Sequence, residues 1–169
     1  MKNVSGKVVT IGDNISATII LNPKFYGEPA EAITPSLAFA SESGMDLPGE
    51  DKIILVTGRN FGYGTVNESV LMAVQKAGVQ AIIGTEFPYY VYRNGLNLGL
   101  PVFVSDSAAD NCSDGDDVSI DLESGKVTNN SNGQEFQTRD RPDFIRRLME
   151  MGGVTVFIQS IREQEEDGA

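Results

Sequence analysis

Histidine and tryptophan are absent from this 169-residue chain, and cysteine occurs once, at position 112. Without histidine there is no Ser–His or Cys–His nucleophile pair, no imidazole metal ligand and no imidazole switch near neutral pH. A lone Cys112 closes no internal disulfide and cannot by itself hold zinc or an iron–sulfur cluster. Basic residues are scarce as well, 13 against 24 acidic, for a net charge of −11. That balance argues against nucleic acid and against anionic membrane surfaces, because neutralising phosphate needs a basic stripe. No apolar run reaches the roughly 18 residues of a membrane span, and the start, MKNVSGKVVTIGDN, lacks the apolar core of a signal peptide. The expectation is a soluble, cytoplasmic protein with no metal ligands of its own. Any catalysis must use carboxylates, hydroxyls, Lys, Arg, backbone amides or a group brought by a partner.

What is present reads as one α/β domain. Residues 7–11 (KVVTI), 52–57 (KIILVT), 80–84 (QAIIG) and 101–104 read as strands. Residues 12–51 form an irregular excursion with one short helix, ITPSLAFA, opened by Thr34 and Pro35. Val66, Val70, Val74 and Ala77 mark a helix ended by Gly78, and PYYVYRNGLNLG a second one. Strands alternating with helices at this spacing predict parallel pairing with right-handed crossovers. Beyond Asp106, the short segments DDVSIDL, GKVTNN and GQEFQT predict antiparallel hairpins. A helix over 142–151, capped by Asp140 and stopped by Gly152, precedes a closing strand at 154–158 (VTVFI). Residues 1–162 are thus one domain, and 163–169, with four acidic residues and no basic one, an acidic mobile tail.

The segment GRNFGYGTVNES, at 58–69, joins a buried strand to a helix start. Its three glycines permit positive φ and can expose successive N–H groups, and a helix N-terminus adds partial positive charge. Together these could hold a carboxylate or phosphate. It is neither a Walker loop nor a clean dinucleotide fingerprint. The plainer reading is a tight turn in which Thr65 caps the helix and Glu68, three residues on, completes a capping box.

This segment, followed by AVQKAGVQAIIGTEFPYYVYRNGLNLGLPVF, closely resembles the small subunit of 3-isopropylmalate dehydratase, the swivel domain of the aconitase superfamily. The likeness extends to GDNISATIILNPKF near the N-terminus and DVSIDLESGKVTN near the C-terminus, almost the whole chain. It implies a swivelling β/β/α domain with a parallel or mixed central sheet flanked by helices. It also implies a division of labour in amino-acid biosynthesis: a [4Fe-4S] cluster on a separate large subunit, and no cofactor in this chain. The small subunit would close over a small hydroxy-carboxylic acid and supply a base for reversible dehydration, or isomerisation through it, within a heterodimer.

The resemblance also locates departures. The family's Ser-Ser-Arg-Glu-His falls on Thr65, Val66, Asn67, Glu68 and Ser69. The resemblance implies that Thr65 is the base, with Gly64, Val66 and Asn67 beside the substrate. Asn67 stands where the family has an arginine, and a neutral amide replaces a bidentate carboxylate clamp poorly. The family's Asp-Thr-Asp becomes Ser16, Ala17 and Thr18, and its nearby arginine becomes Lys24. Thr18, Lys24 and Arg59 complete the candidate substrate-binding set. Loss of the two carboxylates together with the arginine favours an active subunit with an altered substrate. The competing reading is a catalytically idle paralogue that binds a partner or a small carboxylate.

Other candidates have bland expectations. Arg93 and Asn94 are expected to pair with backbone carbonyls or carboxylates, and Tyr89, Tyr90 and Tyr92 to pack or contact a subunit. Asp13 orients its loop or forms an Asx turn. Asp114, Asp116 and Asp117 lack the spacing of a calcium loop, and Cys112 is a small buried residue.

Overall fold

The run IILVT has no polar residue before Thr57 and no helical period, as expected of a strand covered on both faces. In the computed structural model it is β2 (Ile53–Thr57), buried throughout. The structure describes residues 3–39 and 52–167, with the side chains of the last helix described as far as Glu163. The later part of the irregular excursion, 40–51, and the final residues 168–169 lie outside the described residues.

β1 (Asn3–Ile11) and β3 (Val79–Gly84) flank β2 in parallel, and β4 (Val102–Val104) adds in parallel to β3. On the other edge of β1, β5 (Asp117–Asp121), β6 (Lys126–Asn129) and β7 (Gln134–Gln137) follow antiparallel. The order β4-β3-β2-β1-β5-β6-β7 makes one mixed, curled sheet flanked by helices, the fold class expected from the sequence. Gly6 of β1 is needed because a Cβ there would lie 2.4 Å from the Lys52 carbonyl oxygen.

Alternation along β2 divides the interior into two cores. Ile53 and Leu55 join Ala17 and Ile20 of α1 (Ala17–Ile20), Val70 and Val74 of α2 (Ser69–Lys76), and Val91 of α3 (Tyr89–Leu98). Ile54 and Val56 face the other way, onto Val118 and Ile120 of β5, and onto Ala108 and Cys112 at α4 (Asp106–Asn111). Helix α4 was not expected; Ser105 caps it, its hydroxyl oxygen accepting from the Ala108 amide at 3.3 Å.

Three local expectations fail. Residues 35–37 form a single 3-10 turn rather than the start of a helix, and Thr34 makes no capping bond. α5 (Asp143–Met151) follows Pro142, not an Asp140 cap; Asp140 instead accepts from the Arg141 amide at 2.9 Å. The expected strand at 154–158 is helix α6 (Val154–Asp167), which takes in most of the acidic stretch from Glu163. Its β-branched residues suit a strand, but tertiary packing overrides that preference. Gly152 and Gly153, with φ of 93° and 103°, turn the chain sharply against the end of α3. A Cβ on Gly153 would lie 2.5 Å from the Gly99 nitrogen and 2.8 Å from the Asn97 oxygen. The corner fixes α6 against α3, where no strand edge is on offer.

Candidate active site

The stretch after β2 crosses beneath the stretch after β1, and backbone hydrogen bonds lace the two together. The Asn14 amide donates to the Arg59 oxygen at 2.7 Å, Gly62 to Ile15 at 2.8 Å and Ala17 to Tyr63 at 2.7 Å. Asp13 accepts from the Arg59 amide at 2.8 Å, so it orients its loop. Gly58 makes room for this, because a Cβ there would come within 1.8 Å of Asp13 Oδ1. Asn14 and Asn60 both take positive φ, 57° and 58°, and their side chains bond to each other at 2.9 Å. The result is a rigid platform at the C-terminal ends of β1 and β2, the usual place for sites in α/β sheets.

Beyond the platform, residues 64–68 do not form the expected capping box. Helix α2 begins only at Ser69, and Glu68 makes no side-chain capping bond. Thr65 Oγ1 accepts from the Asn67 amide at 3.1 Å, and Asn67 Oδ1 accepts from the Ser69 amide at 2.9 Å. These consecutive side-chain turns compete with helix, as short polar side chains do. Asn94, buried in α3, donates to the Val66 oxygen at 3.1 Å and holds that carbonyl outside the helix. Val66 therefore stands 70% exposed instead of on the apolar face of α2. The expectation that Asn94 binds a backbone carbonyl is met.

Tyr90 was expected only to pack or to contact a subunit, yet it reaches this turn. Its hydroxyl donates to the Gly62 oxygen at 3.0 Å. The Gly64 and Thr65 amides face the same phenol oxygen; burial pushes its pKa up while those amides pull it down. Tyr26 lies near enough that its charge and that of Tyr90 oppose one another, and burial raises its pKa first. Among the described residues the buried Tyr26 hydroxyl finds no hydrogen-bond partner. A Tyr in an otherwise apolar helical stripe carries no sequence signal for this role, because the contact depends on how α3 crosses the 62–65 turn.

The candidate residues divide into groups. Gly64 (φ 102°, open space around it), Thr65, Val66 and Asn67 are contiguous at the head of α2. Thr18 approaches through its neighbour: its hydroxyl is 2.5 Å from that of Ser16, which pairs with Tyr63. Lys24 is exposed with its ammonium 4.9 Å from the centre of the Phe25 ring, and it makes no hydrogen bond to the turn. Arg59 points into a different place, a cleft of about 780 Å³ over the ends of β1 to β3, which none of 62–67 lines. Its ion pair with Asp13 is long, 4.0 Å, and exposed. Asp114 and Asp116 serve the fold, accepting from Thr10 and from Ser113 and Asn129 respectively. Cys112 is buried, as expected.

No protein-family model matches the chain. Individual proteins do. The chain is 33% identical to the 3-isopropylmalate dehydratase small subunit of Caldanaerobacter subterraneus, over 92% of this chain and 98% of that one. It is 30% identical to the small subunit of Thermodesulfovibrio yellowstonii, over 96% and 98%. The chain belongs to the 3-isopropylmalate dehydratase small-subunit family. The fold agrees: the crystal structure of 3-isopropylmalate dehydratase from Methanocaldococcus jannaschii superposes with a TM-score of 0.81, at 22% identity, covering 99% of this chain and all of that one. Aconitase X of Thermococcus kodakaraensis shares the fold more distantly, with a TM-score of 0.51 at 17% identity over 82% and 92%.

Proposed function

We propose that this chain is the non-cluster subunit of a two-component hydro-lyase of the aconitase superfamily, acting in the cytoplasm on a small hydroxy-carboxylic acid other than 3-isopropylmalate. The observation that carries the reading is the Thr65 hydroxyl, freed from the helix cap and accepting the Asn67 amide at 3.1 Å, in a chain of this family. An amide donor aimed at that oxygen favours its deprotonated form. Thr65 Oγ1 would take the proton from the carbon α to a substrate carboxylate. The C–H electrons become the new double bond as the β-hydroxyl departs, and the reverse path adds water.

Among the described residues no three His, Cys, Asp or Glu side chains gather into a metal site, and Cys112 is buried alone. A [4Fe-4S] cluster does not fit this chain. A cluster-bearing large subunit would hold it and supply the Lewis acid. No described helix is long and apolar enough to cross a membrane.

The altered substrate follows from what surrounds Thr65. Asn67 spends its side-chain oxygen on Ser69, so only a neutral NH2 faces a ligand. The Ser16 and Thr18 hydroxyls stand where the resemblance has carboxylates. A neutral polar substrate group suits this wall, formed with Gly64 and Val66, better than a second carboxylate does. Lys24 and Arg59, whose described polar contacts lie elsewhere, are assigned no step. The alternative, an idle paralogue binding a small carboxylate, rests on the same missing arginine. Thr65 variants in the complex with the large subunit decide between them. Thr65→Val should lower kcat about 10²–10⁴-fold while Thr65→Ser keeps most of it. Equal turnover by wild type and Thr65→Val would remove Thr65 from the mechanism.

A further inference from the structure

A second cavity, about 410 Å³, lies between α3, β4 and the start of α5. Its size falls within the usual range for small-molecule sites. Its floor is apolar: Leu96, Val102, Val104 and Ile145, with the Tyr92 ring along one side. Around that floor stand three guanidinium groups, Arg93, Arg139 and Arg141, and a single carboxylate, Asp140. Among the described residues none of the three arginines forms an ion pair. Asp140 is already drawn away by Arg146, at 3.4 Å, and by the Arg141 amide.

Arg141 is the most telling of the three. Half-buried, it lies 4.4 Å above the centre of the Phe103 ring, and among the described residues its guanidinium donates to the uncharged Leu122 carbonyl and Met149 sulfur. A cation partly withdrawn from water without a counter-ion is costly. Burial first and then the nearby Arg146 lower its pKa, and Tyr92 and Asp140 offset only part of that. The composition makes the arrangement less expected still. Acidic residues outnumber basic ones 24 to 13 in the chain, yet cations outnumber carboxylates here. The larger cleft shows the ordinary balance, with Asp13, Glu86, Asp106 and Asp110 against Arg59 and Arg139.

We propose that this cavity is a binding site for a small amphipathic carboxylate, the acid group held by Arg139 and Arg141 beside the Tyr92 hydroxyl and a short branched tail set on the Leu96–Val102–Ile145 floor. Guanidinium groups match a carboxylate in planar geometry, and the apolar floor selects for the tail. The site is separate from the turn at 62–67 and does not rest on the hydro-lyase reading.

The test titrates the isotope-labelled full chain with isovalerate, following backbone amide resonances, with isovaleramide and inorganic phosphate in parallel. Isovalerate should shift, saturably, the amides of Leu96, Val102, Val104, Arg139 and Arg141. Isovaleramide and phosphate should bind at least about tenfold more weakly, and Arg139→Gln and Arg141→Met should each weaken isovalerate about tenfold or more. Arg139→Gln, an exposed position, keeps the test sound if Arg141→Met fails to fold. No saturable shift, equal binding of isovaleramide, an equal response to phosphate, or shifts confined to 62–67 would each overturn the proposal.

Discussion

Asn67 has a local structural part to play that the resemblance did not announce. The resemblance sets it against substrate; the structure uses its amide for Thr65 and its side-chain oxygen for Ser69. Tyr90 is the reverse, a residue with no sequence signal that holds the Gly62 carbonyl at 3.0 Å. Its neighbour Tyr26 buries a hydroxyl that has no bond among the described residues, so the two phenols should respond oppositely to loss of that oxygen. Tyr90→Phe should cost about 1 kcal/mol in urea unfolding, whereas Tyr26→Phe should be neutral or stabilising by up to about 1 kcal/mol. Equal losses would mean that the Tyr26 hydroxyl is bonded in solution.

Cys112 supplies a pH-dependent prediction at the same scale. Burial, then the charge of Asp116, pushes its thiol up to about 11. In the unfolded chain a thiol ionises near about 8.5. The folded state therefore keeps a proton that the unfolded state releases, and stability falls as pH rises through that window. The loss is on the order of 3 kcal/mol in full. Tyr26, Tyr90 and Tyr92, also raised by burial, add a loss of the same sign above about pH 10. The comparison is cleanest between about pH 8.5 and 10, where Cys112→Ala should flatten the slope measured by denaturant unfolding. An unchanged slope would show that the thiol ionises normally in the native protein.

Among the elements, the Gly152–Gly153 corner carries the most weight. Gly153→Ala meets both a positive φ and the end of α3, with contacts of 2.5 Å and 2.8 Å. Gly133, at φ 76°, has open space around it. Gly133→Ala should cost only the conformational strain, about 1 kcal/mol, and Gly153→Ala clearly more, about 3 kcal/mol or above, in the same unfolding assay. Similar costs would mean that the corner relaxes without effect on α3 and α6. The corner also explains where sequence reasoning stopped. The parallel half of the sheet and the β5–β7 meander are legible because each announces itself locally, by an unbroken apolar run or by alternation between turn residues. The run VTVFI announces a strand equally well, and only the distant docking of Gly153 on Gly99 makes it helical. The turn at 58–69 was legible as a glycine-rich junction before a helix. Its true helix start was not, since it depends on Asn94 reaching Val66 from α3.

Taken as a whole molecule, a chain with no histidine and one buried cysteine makes sense as part of a larger site. The fold presents Thr65, the Gly64 backbone and the exposed Val66 on its surface rather than within the cleft of about 780 Å³ over β1 to β3. Under the proposed function, a large subunit would complete that surface. The proposed function makes this chain one half of an enzyme. The most direct measurement is turnover of a hydroxy acid by the large subunit of the same organism as purified chain is added to a fixed amount of it. The account predicts no turnover by either protein alone, and a rate that rises with added chain and saturates as a complex forms. Full activity of the large subunit without this chain, or saturating additions that form no complex and produce no turnover, would contradict it.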